Sequence, residues 1–322
     1  MRSNRALEEL LSRTPTSNGK GDRPAGRLAI LAPLQSSLAG ITCGILFIMK
    51  RIIRLKEQPI GLSDELTPPE SYLLKTDGSL PAVAFKRVTT SEGFLDTGVP
   101  FSGDQPTTFV IGGSFVEGMY CDADRRFVAQ LARRLPFNVL NAGYSGMTTL
   151  QLVTCVMNKI AGLSSPGDRI LAFVPMSDIN PLLQESGYWT SSKVYTPVQP
   201  PIESTRVASI EDLAALLAAL KAFCDGMGLD LVVGTSPHRV SDFNSEGWVR
   251  NLFNRNSSQF MRARAKAYEI ISQVRKSTIE LGIPIIDLHA EFSDHPEWFY
   301  DEVHLNHVGH DRAAEFLSAK LS

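Results

Sequence analysis

The chain has 322 residues, 43% of them hydrophobic and 20% charged, which is enough apolar material for a sizeable core and excludes a mainly disordered chain. With 32 Lys and Arg against 34 Asp and Glu the formal net charge is −2, so there is no global basic field to hold nucleic acid. Cys43, Cys121, Cys155 and Cys224 are scattered, with neither a CxxC pair nor dense spacing, which argues against a disulfide scaffold or a thiolate zinc site and reads as reduced, packed thiols.

Residues 1–27, rich in Ser, Thr, Pro and Gly between Ser12 and Gly26, read as a flexible tail. The next 22 residues, 28–49 (LAILAPLQSSLAGITCGILFIM), are uncharged and largely apolar, and a membrane-spanning helix needs about 20. Pro33, Gln35, Ser36 and Ser37 lower its hydrophobicity, so a buried or interfacial helix is the alternative. The run ends in Lys50 and Arg51 rather than a small-residue cleavage site, so the expected anchor stays attached. Arg13, Lys20, Arg23 and Arg27 before it balance Lys50, Arg51, Arg54 and Lys56 after it. The expectation is a single-pass membrane protein whose catalytic side the charge bias does not set.

Residues 50–106 hold several Pro and Gly and no sustained period, and are expected to be a connecting segment with a short strand or hairpin. From Thr107 the pattern is regular: strands at 107–112, 137–143, 169–175, 229–235 and 283–288 alternate with helices at 123–135, 148–163, 209–227, 257–281 and 306–321. Such buried-type strands separated by helices call for an α/β domain over 107–322, a flavodoxin-like three-layer α/β/α arrangement around a five-stranded parallel sheet. Sites in such sheets form at the carboxyl ends of the strands.

The first strand ends in Gly112-Gly113-Ser114-Phe115-Val116-Glu117-Gly118, where glycines let the backbone turn and present the Ser114 hydroxyl. No GxxxxGK[ST] or GxGxxG is present, so a phosphate loop is a poor reading. Just before the last helix, Asp301-Glu302-Val303-His304 offers a base and a carboxylate to orient it, which a serine nucleophile requires.

These two blocks, at the two ends of a five-strand pattern, resemble the SGNH/GDSL hydrolase family, whose first block is Gly-Asp-Ser-x-x-x-Gly and whose last is Asp-x-x-His. The resemblance implies Ser114 as nucleophile, His304 as base and Asp301 as the residue that orients it. It also implies an oxyanion hole from the Ser114 N–H, a glycine after the second strand and a donor after the third. Gly146 is the closer match to that glycine and Gly143 the alternative. Ser177 in Pro175-Met176-Ser177-Asp178 stands where the family has asparagine, with Asn180 close by. Gly113 replaces the family's aspartate, which removes a supporting carboxylate and leaves the nucleophile.

The resemblance implies no metal or organic cofactor. It implies a serine esterase or O-acyltransferase acting on an oxygen ester, with O-acetylated carbohydrate the preferred substrate class. Its rivals are a lipid esterase or lysophospholipase, and a non-catalytic, membrane-anchored carbohydrate-binding module whose departures at Gly113 and Ser177 mark a decayed site.

Asp178 and Asp287 are fallback carboxylates, expected to be structural at strand ends. His304, His307 and His310 follow an i, i+3, i+6 spacing, but no HExxH accompanies them, and His307 and His310 are expected to cap or decorate the last helix. In the insertion 184–205, Tyr188, Trp189 and Tyr195 either contact substrate or pack the loop, and His238 with Arg239 after the fourth strand lies at the same edge, where His238 either contacts substrate or belongs to a solvated loop. Arg262, Arg264, Lys266, Arg275 and Lys276 read as a solvated helix face.

Overall fold

A computed structural model of the protein describes residues 50–322. The tail at 1–27, the apolar run at 28–49 and Cys43 lie outside the described residues. Among the described residues no helix is long and apolar enough to cross a membrane.

The central sheet is parallel throughout: β1 (Thr107–Gly112), β2 (Asn138–Gly143), β3 (Arg169–Val174), β4 (Asp230–Thr235) and β5 (Ile285–Asp287), in the order β2-β1-β3-β4-β5. Each strand falls within two residues of the apolar run that marks it, because strands covered on both faces are largely apolar. Side chains alternate between two cores. Phe109 and Ile111 of β1 and Ile170, Ala172 and Val174 of β3 join one, while Val110, Leu171 and Phe173 join the other.

The helices that complete the three layers are α1 (Ser114–Glu117), α2 (Phe127–Arg134), α3 (Thr149–Asn158), α4 (Glu211–Met227), α5 (Ser257–Glu280) and α6 (His307–Leu321). The apolar stripes of α3, α4 and α5 fill the first core, through Leu152, Leu217 and Ile270 among others. Those of α2 and α6 fill the second, through Leu131 and Leu317. Side chains set several starts: Thr148 and Gln151 form a reciprocal capping box at α3, and Asn256 and Asn306 cap α5 and α6. The helix expected from residue 123 begins only at Phe127, because Arg126 turns inward, 2% exposed, to donate to the carbonyls of Gly118 and Lys86. Cys121, Cys155 and Cys224 are buried free thiols.

The stretch before β1 is more than a connector, since residues 50–322 form one compact unit. Ser63–Leu66 pairs antiparallel with Phe85–Val88, and the short helix Glu70–Leu73 lies between them. Leu95 N–H donates to the Asn141 carbonyl at 2.9 Å and Asp77 N–H to the Tyr300 carbonyl at 2.8 Å. In the insertion after β3, Val198–Gln199 pairs with Ile52–Ile53. On α5, Arg275 pairs with Asp287 at 2.7 Å and Lys266 with Glu269 at 2.5 Å, so these charges hold partners at the surface.

The end of β2 meets α1 with no room to spare, since a Cβ on Gly143 would stand 2.3 Å from the Glu117 nitrogen and 2.6 Å from the Val116 carbonyl carbon. Both neighbours are backbone and cannot step aside. Gly143→Ala should therefore destabilise the protein by about 1–3 kcal/mol. Urea unfolding tests this, and a wild-type midpoint would contradict it.

Candidate active site

Loops from the carboxyl ends of β1, β3 and β4 and from the start of α6 converge on one cleft of about 250 Å³. It is bordered by Ser114, Ser177, Asn180, His238, Glu302 and His304, with apolar Phe115, Pro175, Met176, Ile179, Leu252 and Val303 between them. β1 and β3 are neighbours that the chain reaches by opposite crossovers, the switch point at which doubly wound sheets open a crevice.

Ser114 opens α1 after the extended Gly113, and Gly118 closes the helix at φ 60°. The Ser114 hydroxyl stands 2.6 Å from His304 Nε2. His304 Nδ1 stands 2.7 Å from Asp301 Oδ2. The carboxylate only accepts, so Nδ1 carries the imidazole proton and Nε2 offers its lone pair to Ser114. Asp301 also accepts from the Val303 and His304 N–H groups at 2.9 and 2.8 Å and from the Tyr72 hydroxyl at 3.0 Å. Tyr300 stacks on the His304 ring, 5.5 Å between centroids and 11° from parallel.

Burial pushes the Asp301 carboxyl up, but the His304 charge and these hydrogen bonds outweigh it and hold the group below its ordinary value. Burial likewise opposes charge on His304, yet Asp301 beside it leaves the imidazole above its ordinary value. The arrangement can take a proton from Ser114 and hold it as imidazolium.

Around the hydroxyl, N–H groups are sorted by what they already bind. In the loop after β2, the Gly143 N–H donates to Asn141 Oδ1 at 2.9 Å, Tyr144 to the Gly112 carbonyl at 3.0 Å, Ser145 to Glu117 Oε2 at 2.5 Å and Met147 to the Tyr144 carbonyl at 3.1 Å. Gly146, at φ 72° with open space around it, has no acceptor for its N–H among the described residues. Gly143 is thereby spent, and Gly146 is the glycine of this loop with a donor to give, although it does not border the cleft itself. Ser177 does border it. A Cβ on Gly113 would lie 3.7 Å from Ser177 Oγ and 3.2 Å from Pro175 Cβ, so the two departures from the family pattern adjoin.

The fallback carboxylates are committed elsewhere. Asp178, fully buried and pushed up to about 6 by burial, accepts from the Thr149 N–H and hydroxyl. Asp287 binds Thr235 and Arg275 and caps the helix Leu288–Phe292. His304, His307 and His310 face three different partners. His304 meets Ser114, His307 lies 3.3 Å from Asp122, and His310, held down to about 3 by burial, accepts from the Phe127 N–H. No group of three or more potential metal ligands occurs among the described residues.

The insertion corrects an expectation. Tyr188 is fully buried in the first core, and Trp189 packs edge-on against it beneath the Arg206 guanidinium. Neither Tyr188 nor Trp189 borders the cleft, because an apolar ring in so long a loop is better spent fixing the loop to the core. His238 does border it, 3% exposed.

A model of the GDSL-like lipase/acylhydrolase family matches residues 110–312, the span from β1 into α6. The chain belongs to this family. It is accordingly an ester hydrolase. No match is found among curated proteins. Similar solved structures include LAE5, an alpha/beta hydrolase enzyme from the metagenome of Lake Arreo, Spain, at 20% identity over 68% of this chain and 95% of that one, with a TM-score of 0.45. Another is Axe2, an acetylxylan esterase from Geobacillus stearothermophilus, at 14% identity over 69% and 95% of the two chains and a TM-score of 0.44. A GDSL-like lipase from Bacteroides thetaiotaomicron matches at 12% identity over 67% and 85%, with a TM-score of 0.43.

Three residues around this GDSL-type site escape a reading of sequence blocks. Tyr72 reaches Asp301 from 229 positions away. Glu117, 2% exposed, accepts from Gln58 Nε2 at 3.1 Å as well as from the Ser145 N–H, and so shapes the loop that leaves Gly146 free. The adjacent Glu117-Gly118 pair inside the serine block carries no signal for that role. Glu302 lies in the last block itself, inconspicuous as a charged residue beside Asp301.

The sign of the His304 shift fixes a pH dependence. An imidazole raised above its ordinary pKa stays protonated, and unable to act as base, to a higher pH than a free histidine. Ester cleavage should therefore rise with pH along a limb centred above about 6.5. Asp301→Asn should move that limb down and lower turnover by roughly 10⁴-fold. A wild-type pH–rate profile centred at or below the free-histidine value would contradict the assignment.

Proposed function

We propose that the protein is a serine esterase that works through an acyl-enzyme at Ser114 on oxygen esters of short acyl groups, with O-acetylated carbohydrate as the preferred substrate. The observation that carries this reading is the 2.6 Å contact between Ser114 Oγ and His304 Nε2 inside the cleft. Ser114 Oγ attacks the ester carbonyl carbon while its proton passes to His304 Nε2, and Asp301 stabilises the imidazolium that forms. The developing oxyanion takes hydrogen bonds from the Ser114 N–H, the Gly146 N–H and the Ser177 hydroxyl. Collapse breaks the bond to the alcohol, whose oxygen takes the proton back from His304. Water, activated by the same histidine, then releases the acid and restores Ser114; a sugar hydroxyl in its place completes an O-acyl transfer.

Volume supports the short acyl group. About 250 Å³ falls below the roughly 300–1,000 Å³ of sites that enclose a drug-sized ligand, so a long acyl chain would leave most of its methylenes in water. The lipid reading loses support on that ground, and the intact hydrogen-bond chain from Asp301 to Ser114 weighs against a decayed binding module. The apolar run at 28–49, followed by Lys50, Arg51, Arg54 and Lys56, supports attachment of this domain to a membrane.

Hydrolysis of 4-nitrophenyl acetate and decanoate tests the reading. Each methylene left unburied forgoes about 0.8 kcal/mol, so kcat/KM should not rise from acetate to decanoate, and a rise of roughly tenfold or more would support the lipid esterase instead. Ser177→Ala should lower acetate turnover by roughly 10- to 1,000-fold. Unchanged kinetics would assign the oxyanion to backbone donors or to Asn180.

A further inference from the structure

We propose that Glu302 and His238 form a polar subsite in the catalytic cleft that binds a free hydroxyl on the alcohol half of the ester, so that the enzyme selects esters of polyols over esters of aliphatic alcohols. The proposal rests on the esterase reading above. Glu302 is 8% exposed and His238 3% exposed, and both border the cleft that holds Ser114 and His304. The Glu302 carboxyl has no hydrogen-bond or ion-pair partner among the described residues, and no side chain among them hydrogen-bonds the His238 imidazole. A carboxyl without a protein partner and an imidazole that border one cleft are both served by a ligand group that pairs with them.

Backbone contacts hold the pair in place. The Arg239 N–H donates to the Glu302 carbonyl at 2.7 Å, and the His238 N–H to His289 Nδ1 at 3.3 Å. Burial, with the Asp301 charge adding to it, pushes Glu302 up to about 8, so it carries its proton at neutral pH. Burial holds His238 down to about 4 and keeps it neutral. Two neutral groups that each donate and accept suit a hydroxyl, which does both, and offer little to an anion or a cation.

The chemistry of the reaction places the alcohol on their side. The leaving oxygen must come within hydrogen-bond reach of His304 Nε2 to collect its proton, and Glu302 is two residues from His304 on the same loop. The oxyanion donors belong to the loops after β1, β2 and β3.

Glycerol monoacetate and propyl acetate share a carbon skeleton and an acyl group and differ in the two free hydroxyls. Wild-type enzyme should show a kcat/KM ratio of roughly tenfold or more in favour of the glycerol ester. Glu302→Leu and His238→Leu should each bring that ratio toward one, while Glu302→Gln, which keeps a neutral donor and acceptor, should retain most of it. Thermal melts identify any variant that fails to fold, and the remaining substitutions then carry the comparison. A wild-type enzyme that cleaves propyl acetate equally well overturns the subsite and leaves the esterase intact, as does a ratio unmoved by the leucine variants or lost equally in Glu302→Gln. Cleavage of neither ester by the wild type overturns the esterase reading, and the subsite with it.

Discussion

A carboxylate with 6% of its surface exposed, as Asp301 has, keeps its charge only where donors replace the water it has lost. Four do so: the N–H groups of Val303 and His304 on one oxygen, and His304 Nδ1 with the Tyr72 hydroxyl on the other. The two backbone donors need only the tight turn of the Asp-x-x-His block, but the Tyr72 hydroxyl must come from far along the chain. The stretch before β1 therefore folds against the domain instead of trailing from it, and the charge it helps to hold selects the His304 tautomer that faces Ser114.

A second buried carboxylate, Glu117 in the helix that Ser114 opens, plays a comparable part. Glu117 draws in Gln58 and the Ser145 N–H, and Gln58 also donates to the Gly143 carbonyl at 3.1 Å. The loop after β2 is thereby bound at every N–H from 143 to 147 except that of Gly146. Close packing of Gly143 on α1 couples the same loop to the helix that presents Ser114. The parallel sheet supplies the common edge, and these two carboxylates fix what stands on it.

The sheet was legible in the sequence because its strands are largely buried on both faces and therefore read as short, mainly apolar runs, and the helices because their apolar stripes recur every three or four residues. Ser114, Asp301 and His304 were legible because short-range turns present them, so their spacing survives in the chain. Tyr72, Gln58 and Glu117 were not, since their roles depend on contacts across 229, 59 and 28 positions that no local pattern records. Tyr188 and Trp189 misled for a related reason: an aromatic residue in a long loop has the same composition whether it faces substrate or core, and only the tertiary contact decides.

On the proposed reading, the Asp301 to His304 to Ser114 chain makes this hydroxyl a nucleophile. The most direct test is the rate at which a fluorophosphonate modifies the protein, with the adduct located by mass spectrometry of the digested chain. The expected result is a single adduct on Ser114 and a rate that falls by roughly 10³-fold or more in His304→Ala. An adduct on another residue, no adduct at all, or an undiminished rate without the imidazole would contradict it.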